Sequence, residues 1–300
     1  MKISGFSFIR NGIEVDYPFL EAIQSILPIC DEFIVAVGDS TDNTREAIVN
    51  LKSDKIKIID TVWDLSKRTG GVVFAEQSNI ALDSCTGDWA IHIQADELIH
   101  EEEVFKIKEE ILRYNSDPNV EGLLMPYYHF WGDYNHIWTS RKAHRYEVRA
   151  FRNAKGIRSF RDSQGFRKYT SIEAYLNGET GEKLRVKMSE AHVFHYKSVK
   201  PPKQMNKKME TLLSFYHNDE WIQKRYQEKD DYFNYTNYDK LEVFDKSQPS
   251  LMKERMLKKD WEFVYDKSKS KMKFKYRILH FIEDFTGYRL FEYKNYRLLK

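Results

Sequence analysis

The 300-residue sequence predicts an α/β fold, a mixed sheet flanked by helices with a helical C-terminal extension. Three observations lead to it. Short β-branched or aromatic runs alternate with amphipathic stretches over the first hundred residues, the pattern of a parallel sheet covered by helices. Aromatic strand-like runs separated by polar turns follow Val120, and a charged, Tyr-rich helical remainder follows Pro201-Pro202.

The elements follow in order. Ile3 to Ile9 reads as the first strand and Asn11-Gly12 as a loop; Pro18 suits a first helical turn, with Phe19, Ala22, Ile23 and Ile26 at helical spacing. Phe33 to Val37 is the second strand. Asp42 is placed to cap a helix holding Ala47, Ile48 and Leu51. Ile56 to Ile59 is a third strand, Phe74 to Leu82 a helix before Gly87, and Trp89 to Ile93 a fourth strand. A helix is expected from near Glu101, its acidic first turn complementing the helix dipole. Leu123 to Trp131 and Glu147 to Phe151 read as hairpin strands, and Ala191 to Tyr196 as a last strand. Residues 1–200 form the first unit, divided near residue 115, and residues 201–300 the extension.

Bulk properties narrow the class. Aromatic residues make up 15% of the chain against 13 Gly and 7 Pro, a composition for a packed core rather than a low-complexity tail. Cys30 and Cys85 each sit alone in an apolar segment, which gives neither a disulfide framework nor a zinc ribbon and fits a reducing, cytoplasmic setting. No stretch approaches about 18 consecutive apolar residues and no basic-then-apolar leader opens the sequence, so secretion and membrane spanning are not expected. A net charge of +2 gives no case for nucleic acid as a partner. From Leu251 to Lys300, however, 14 basic residues face 7 acidic ones.

Two carboxylate clusters fall at successive strand ends: Asp39 and Asp42 within Gly38-Asp39-Ser40-Thr41-Asp42-Asn43-Thr44, and Asp96 with Glu97 after the fourth strand. In a parallel sheet these loops share a rim, where ligands of open α/β sheets gather. A diphosphate leaving group needs hydrogen-bond donors and a carboxylate-held divalent cation, and these loops hold both kinds of group. Taken alone, Ser-Thr-Asp-Asn-Thr reads first as a helix cap with a turn, since Ser, Thr, Asp and Asn dominate both positions.

Read in order, these segments resemble family-two glycosyltransferases. Phe33 to Thr44 looks like that family's strand and donor loop, Ala75-Glu76-Gln77-Ser78-Asn79-Ile80-Ala81-Leu82 resembles its following helix, and Gly87-Asp88-Trp89 leads into Ile91 to Glu97 at its metal-motif position. The resemblance spans residues 3 to 200 and implies a GT-A-type, Rossmann-like fold, with a donor half over 1–115 and an acceptor half over 116–200. It implies transfer of a sugar, with inversion, from a nucleoside-diphosphate sugar to a glycan or lipid-linked acceptor, assisted by Mn²⁺ or Mg²⁺, in a setting such as polysaccharide biosynthesis. Two departures stand out. Val37 and Gly38 occupy the place of an acidic base-binding residue, leaving Asp39 or the main chain of Ser7 to Arg10 for that task. Gln94-Ala95-Asp96 replaces the usual Asp-x-Asp, so Asp96 is the ligand candidate and Gln94 an amide for ribose or phosphate. On this reading Ser7, Arg10, Asp39, Ser40, Asp42, Gln77, Gln94, Ala95 and Lys197 bind the donor. His195, at the end of a late strand, joins Asp96 at the metal, or else serves as a structural histidine.

A concerted inverting transfer needs a general base beside the acceptor hydroxyl. Asp162, in the loop Arg158 to Phe166, is the first candidate and Glu147 the reserve; an ion pair of Asp162 with Arg158 or Arg161 is the plain alternative. The competing function is a nucleotide-sugar- or carbohydrate-binding protein that keeps the fold without the chemistry. The sequence lacks the Gly-rich first loop of nucleotidyltransferases and the Gly-x-Gly-x-x-Gly of dinucleotide dehydrogenases. In the tail, Phe274, Ile278, Phe281 and Phe285 recur at helical spacing behind Lys271, Lys273, Lys275 and Arg277. This basic amphipathic helix is expected to pack its apolar face on the first unit; attachment to the inner membrane face is the other reading. Aromatic-rich Tyr226 to Tyr238 suits either sugar stacking or helix packing. The transferase reading as a whole requires Asp96 at the sheet rim, open to a cleft that the Ser40–Thr44 turn borders.

Overall fold

The computed structural model describes residues 1–64, 69–227 and 233–300. The first part of the chain alternates strands β1 (Ile3–Ile9), β2 (Glu32–Val37), β3 (Ile56–Asp60) and β4 (Trp89–His92) with helices α1 (Phe19–Ile26), α2 (Thr44–Val49) and α3 (Val72–Asp83). There follow β5 (Glu97–Ile99), α4 (Val104–Tyr114), β6 (Gly122–Trp131), β7 (His136–Trp138) and β8 (Tyr146–Arg152). Next come β9 (Ile157–Ser159), β10 (Phe166–Lys168), α5 (Ile172–Leu176), β11 (Glu182–Lys183), β12 (Arg185–Met188) and β13 (Val193–Ser198). The chain ends with α6 (Pro202–Ser214), α7 (Asp219–Gln227), β14 (Leu241–Val243), α8 (Lys253–Leu257), α9 (Phe274–Thr286) and β15 (Arg297–Leu298).

The main sheet is mixed and flanked by helices, with the path β14-β7-β6-β8-β4-β1-β2-β3. Strands β4, β1, β2 and β3 run parallel, whereas β8 is antiparallel to both β4 and β6. The central strands are apolar on both sides because helices cover both faces. Ile3, Ile9, Phe33, Val35 and Val37 enter one core with Phe19, Ile23 and Ile26 of α1, while Phe6, Ile34 and Ala36 enter another with Ala81 and Leu82 of α3. Residues after Pro202 join the same sheet: β14 pairs with β7, and β15 with β12. Tyr235 and Tyr238, at the end of the aromatic-rich segment, are buried with Trp131 and Leu241; residues 228–232 of that segment lie outside the described residues. No helix among the described residues is long and apolar enough to cross a membrane.

The tail helix departs from expectation. Phe274, Ile278, Phe281 and Phe285 of α9 are all exposed, Phe285 at 84%, and α9 meets the rest of the molecule through its polar side. The expected packing of its apolar face does not occur.

One buried polar group secures the edge where the first strands begin. Glu32, at the start of β2, accepts hydrogen bonds from Ser4 Oγ (2.7 Å), Thr86 N (2.7 Å) and Thr86 Oγ1 (2.8 Å) and is paired with Lys57 (2.8 Å). Although burial opposes ionisation, these partners hold its carboxyl below the ordinary carboxylate range. A carboxyl so depressed contributes stability that is present above its ordinary pKa and lost as pH falls through the acid range. Glu32→Gln is expected to cost about 1–3 kcal/mol at neutral pH in denaturant titrations, and the gap to the unsubstituted protein should begin to narrow below about pH 4 and go on narrowing as the pH falls further. A gap independent of pH would overturn this account.

Candidate active site

Because β1, β2 and β4 are parallel, the segments that leave their carboxyl ends meet on one rim. A cavity of about 270 Å³ lies there. Arg10 and Asn11 reach it from the end of β1, and Gln94, Ala95 and Asp96 from the turn after β4. His195 and Lys197 come from β13, Asp162 and Ser163 from the loop between β9 and β10, and Lys208, Thr211 and Leu212 from α6. Trp63, Phe74 and Phe215 form an aromatic wall, with ring centroids 5.4 Å apart for Trp63–Phe215 and 4.9 Å for Phe74–Phe215. Gly38 makes room for that wall, since a Cβ there would lie 2.5 Å from Trp63 Nε1.

Asp96 lines the cavity, but it is not open as the sequence reading required: it is 8% exposed. Lys208 Nζ, itself buried, lies 2.9 Å from Asp96 Oδ2 and also donates to the Lys197 carbonyl at 2.8 Å. His195 Nε2 lies 3.5 Å from Asp96 Oδ1. Burial disfavours the charged carboxylate, yet the neighbouring Lys208 ammonium and His195 outweigh it and hold Asp96 well below the usual range. Burial and the charge of Lys208 together push Lys197 down to about 8.

The ring of His195 is oriented by a relay. Its Nδ1 is 2.8 Å from His129 Nδ1, and His129 Nε2 is 2.7 Å from the carbonyl oxygen of His144. A carbonyl only accepts, so His129 Nε2 carries a proton; burial and adjacent histidines push the His129 pKa well below its ordinary value, so its Nδ1 accepts. His195 Nδ1 is therefore the donor, which leaves Nε2 as the ring nitrogen that faces Asp96. One imidazole nitrogen and one carboxylate oxygen at this spacing fit a hard or borderline divalent cation. Among the described residues no group of three or more His, Cys, Asp or Glu gathers for a metal, so further ligands would come from diphosphate oxygens and water.

Glu97, grouped with Asp96 in the sequence, turns the other way. It is wholly buried and bidentate with Arg149 (2.7 and 3.0 Å), and it accepts from Tyr127 Oη (2.8 Å) and from the backbone N of Gln94 (3.1 Å). The pair thus holds the Gln94–Asp96 turn from behind. Asp162 does not pair with either arginine. Arg158 is bound to Asp83 (2.8 Å), and Tyr216 Oη donates to Asp162 Oδ2 (2.6 Å), while Asp162 Oδ1 has no hydrogen-bond partner. Arg161 and Ser163 on either side have φ of 56° and 64°, the left-handed backbone that swings this loop over the rim.

The other expected residues lie outside the cavity. Asp42 accepts from Glu14 N (2.7 Å) and Thr44 N (3.0 Å), and Ser40 Oγ accepts from Asn11 N (3.1 Å), so the Ser40–Thr44 turn fastens the loop after β1 instead of bordering the cavity. Asp39 accepts from Arg10 Nε (2.9 Å) and Trp63 N (3.2 Å) and so fixes two lining residues from outside. Ser7 is buried within β1, and Gln77 accepts from Thr61 Oγ1 at 2.6 Å between α3 and the end of β3. Lys200, two residues after the end of β13, donates to the Val15 and Asp16 carbonyls (2.8 and 3.0 Å) and so ties that end to the loop after β1. Glu147 lines a separate cavity of about 550 Å³ bounded by Arg141, Arg145 and residues of the C-terminal segment. Lys208, Tyr216 and the aromatic wall were not singled out by the sequence reading.

Two measurements test these assignments. Lys208→Met strands a buried carboxylate, a loss of about 3–5 kcal/mol, and a divalent cation should restore part of it. The variant's melting temperature is therefore expected to rise on adding Mn²⁺ by more than that of the unsubstituted protein. An equal response would show that Lys208 and a cation do not share Asp96. Burial, aided by the charge of Glu97, pushes Glu147 up to about 7. A carboxyl raised in the fold costs stability as pH climbs from its ordinary pKa through 7, so Glu147→Gln should gain roughly 3 kcal/mol relative to the unsubstituted protein between about pH 5 and pH 8. A constant difference between the two denaturation profiles would refute the shift.

No protein-family model matches this chain. No curated protein matches it either. Among solved structures it is similar to S. aureus TarS 1-349, at 17% identity and a TM-score of 0.39, covering 72% of this chain and 65% of that one. It thus spans less than two thirds of the TarS fragment. It is also similar to glucosyl-3-phosphoglycerate synthase from Mycobacterium tuberculosis, solved with Mn²⁺, UDP-glucose and phosphoglyceric acid, at 16% identity and TM-score 0.30 over 42% of this chain and 44% of that one. A third similarity is to the mannosyltransferase PcManGT from Pyrobaculum calidifontis, in complex with GDP-Man and Mn²⁺, at 18% identity and TM-score 0.31 over 41% and 34% of the two chains. At these scores the likeness is slight.

Proposed function

We propose that this chain transfers a sugar, with inversion, from a nucleoside-diphosphate sugar to a glycan or lipid-linked acceptor, with Mn²⁺ or Mg²⁺ held by Asp96 and His195. Asp96 is more enclosed than the sequence reading required and the Ser40–Thr44 turn does not border the cavity, so the reading rests instead on the convergence of Arg10, Asp96, His195, Lys197 and Lys208 on a cavity that Asp162 also lines. Concave sites at the carboxyl ends of parallel strands, with a few convergent polar groups, are where an α/β sheet binds its ligand.

The cation, when bound, supplies charge neutralisation for the departing diphosphate. The rest falls to the chain. Lys197, Lys208 and Arg10 bring positive charge to the phosphates, and the Trp63–Phe74–Phe215 wall offers flat apolar surface to a base or sugar ring. The Asp162 carboxylate accepts the proton of the acceptor hydroxyl as the hydroxyl oxygen bonds to the anomeric carbon and the bond to the diphosphate breaks. Tyr216, donating to Oδ2 of that carboxylate, keeps Asp162 pointed at the acceptor. A cytoplasmic enzyme acting on a lipid-linked acceptor would meet it at the inner membrane face.

The Asp96–Lys208 pair lends weight to a second reading, a nucleotide-sugar-binding protein without turnover, because the carboxylate already has its counter-cation. A thermal-shift screen of uridine, guanosine, cytidine and thymidine diphosphates and their sugars, with and without Mn²⁺, should give one selective stabilisation. With that donor, Asp162→Asn should lower kcat by about 10²–10⁴-fold and leave donor binding unchanged. Stabilisation without turnover across acceptors selects the binding protein, and a wild-type rate in Asp162→Asn removes Asp162 from the chemistry.

A further inference from the structure

Helix α9 is turned inside out relative to a helix in a water-soluble core. Phe274, Ile278, Phe281 and Phe285 stand at i, i+4, i+7 and i+11, one stripe about 16 Å long, and they are 76, 47, 71 and 84% exposed. The side that meets the molecule is held by polar groups: Glu283 is bound by Arg141 (2.6 Å) and lies 3.5 Å from Arg145, and His280 is buried beside it, with half-buried Tyr276 and Leu279 one turn before. Just beyond the helix, Arg145 is bidentate with Glu292 (both 2.7 Å), and Phe291 in the same turn is 90% exposed. Ion pairs thus hold the helix while its apolar stripe is offered to the surroundings, together with the exposed cations Lys271, Lys273, Lys275 and Arg277 at its start.

We propose that α9 and Phe291 form a docking surface for an anionic lipid bilayer, with the helix lying in the plane of the interface. The charge decides the occupant. A second copy docked on the same face would oppose like-charged clusters across a two-fold axis, whereas acidic headgroups complement them. Apolar side chains on one face and lysines at its flank are the arrangement of an interfacial helix, in which both terms contribute. The inference rests on α9 and Phe291 and stands apart from sugar transfer.

The test is co-sedimentation of the full chain with phosphatidylcholine vesicles that do or do not contain phosphatidylglycerol. Binding is expected to the phosphatidylglycerol vesicles and to weaken as salt is raised. Phe281→Ser with Phe285→Ser should reduce the partition coefficient about tenfold or more without changing the melting temperature, because neither side chain is buried. Lys271→Glu, Lys273→Glu and Lys275→Glu together should abolish the preference for phosphatidylglycerol, at about fivefold per residue. Absence of binding, or binding untouched by the phenylalanine substitutions, would overturn the proposal. So would a lipid-free dimer in sedimentation velocity that those substitutions dissolve, since a second copy would then be the occupant.

Discussion

A buried carboxylate at the sheet rim constrains the rest of this molecule. Asp96 sits where β4 gives way to a turn, and a charge there is stable only with partners supplied from elsewhere. Lys208 comes from α6 and His195 from β13, far along the chain, so the pairings draw both elements onto the rim of the parallel strands. Desolvation is a penalty of several kcal/mol per ion, and hydrogen bonds beyond the pair offset it: Lys208 also donates to a backbone carbonyl, and His195 is bound through His129 to a second one. The cavity results from this closure, since α6 and the Phe215–Tyr216 turn form its outer wall.

Glu97 and Arg149 perform the complementary task behind the turn. Asp96 closes the turn after β4 and Glu97 opens β5, so the two consecutive carboxylates leave the chain in different directions and only Asp96 lines the cavity. Glu97 therefore enters the core, where Arg149 neutralises it and Tyr127 and the backbone of Gln94 fill its remaining acceptor sites. The direction of Asp96 is in this sense set by the residue after it. A rigid, fully bonded support is what a site needs if its polar groups are to be held in place before a ligand arrives.

Strands β1, β2 and β4 were legible because each is an apolar run between turn signals, buried on both faces; β1 begins and ends at the expected residues. The rim was legible for a topological reason, and Arg10, Gln94, Ala95, Asp96, Asp162, His195 and Lys197 all reach one cavity. The donor loop was ambiguous by composition, since Asp and Ser accept backbone hydrogen bonds as readily as they accept a ligand's. Here backbone donors in residues 11–14 and 44 take Asp42 and Ser40. Lys208 was illegible. A lysine on a polar helix looks solvated unless the long-range partner is known, and that partner lies 112 residues away.

The contrast between α1 and α9 shows why periodicity identifies a helix without saying what covers it. Both have an apolar stripe at helical spacing, and α1 buries Phe19, Ala22, Ile23 and Ile26 against the sheet. In α9 the opposite face carries Glu283, with Glu292 just beyond, and the surface it meets carries Arg141, Arg145 and Arg289. Turning the stripe inward would strand those charges away from one another, at a cost of several kcal/mol for each unpaired ion. Burying four apolar side chains would return about 1.5–3 kcal/mol each. The two terms are comparable in size, so the choice of face was settled by which neighbour was available. Arg289 follows the helix closely, but Arg141 and Arg145 lie within the first 200 residues, beyond the reach of any window drawn around the helix itself.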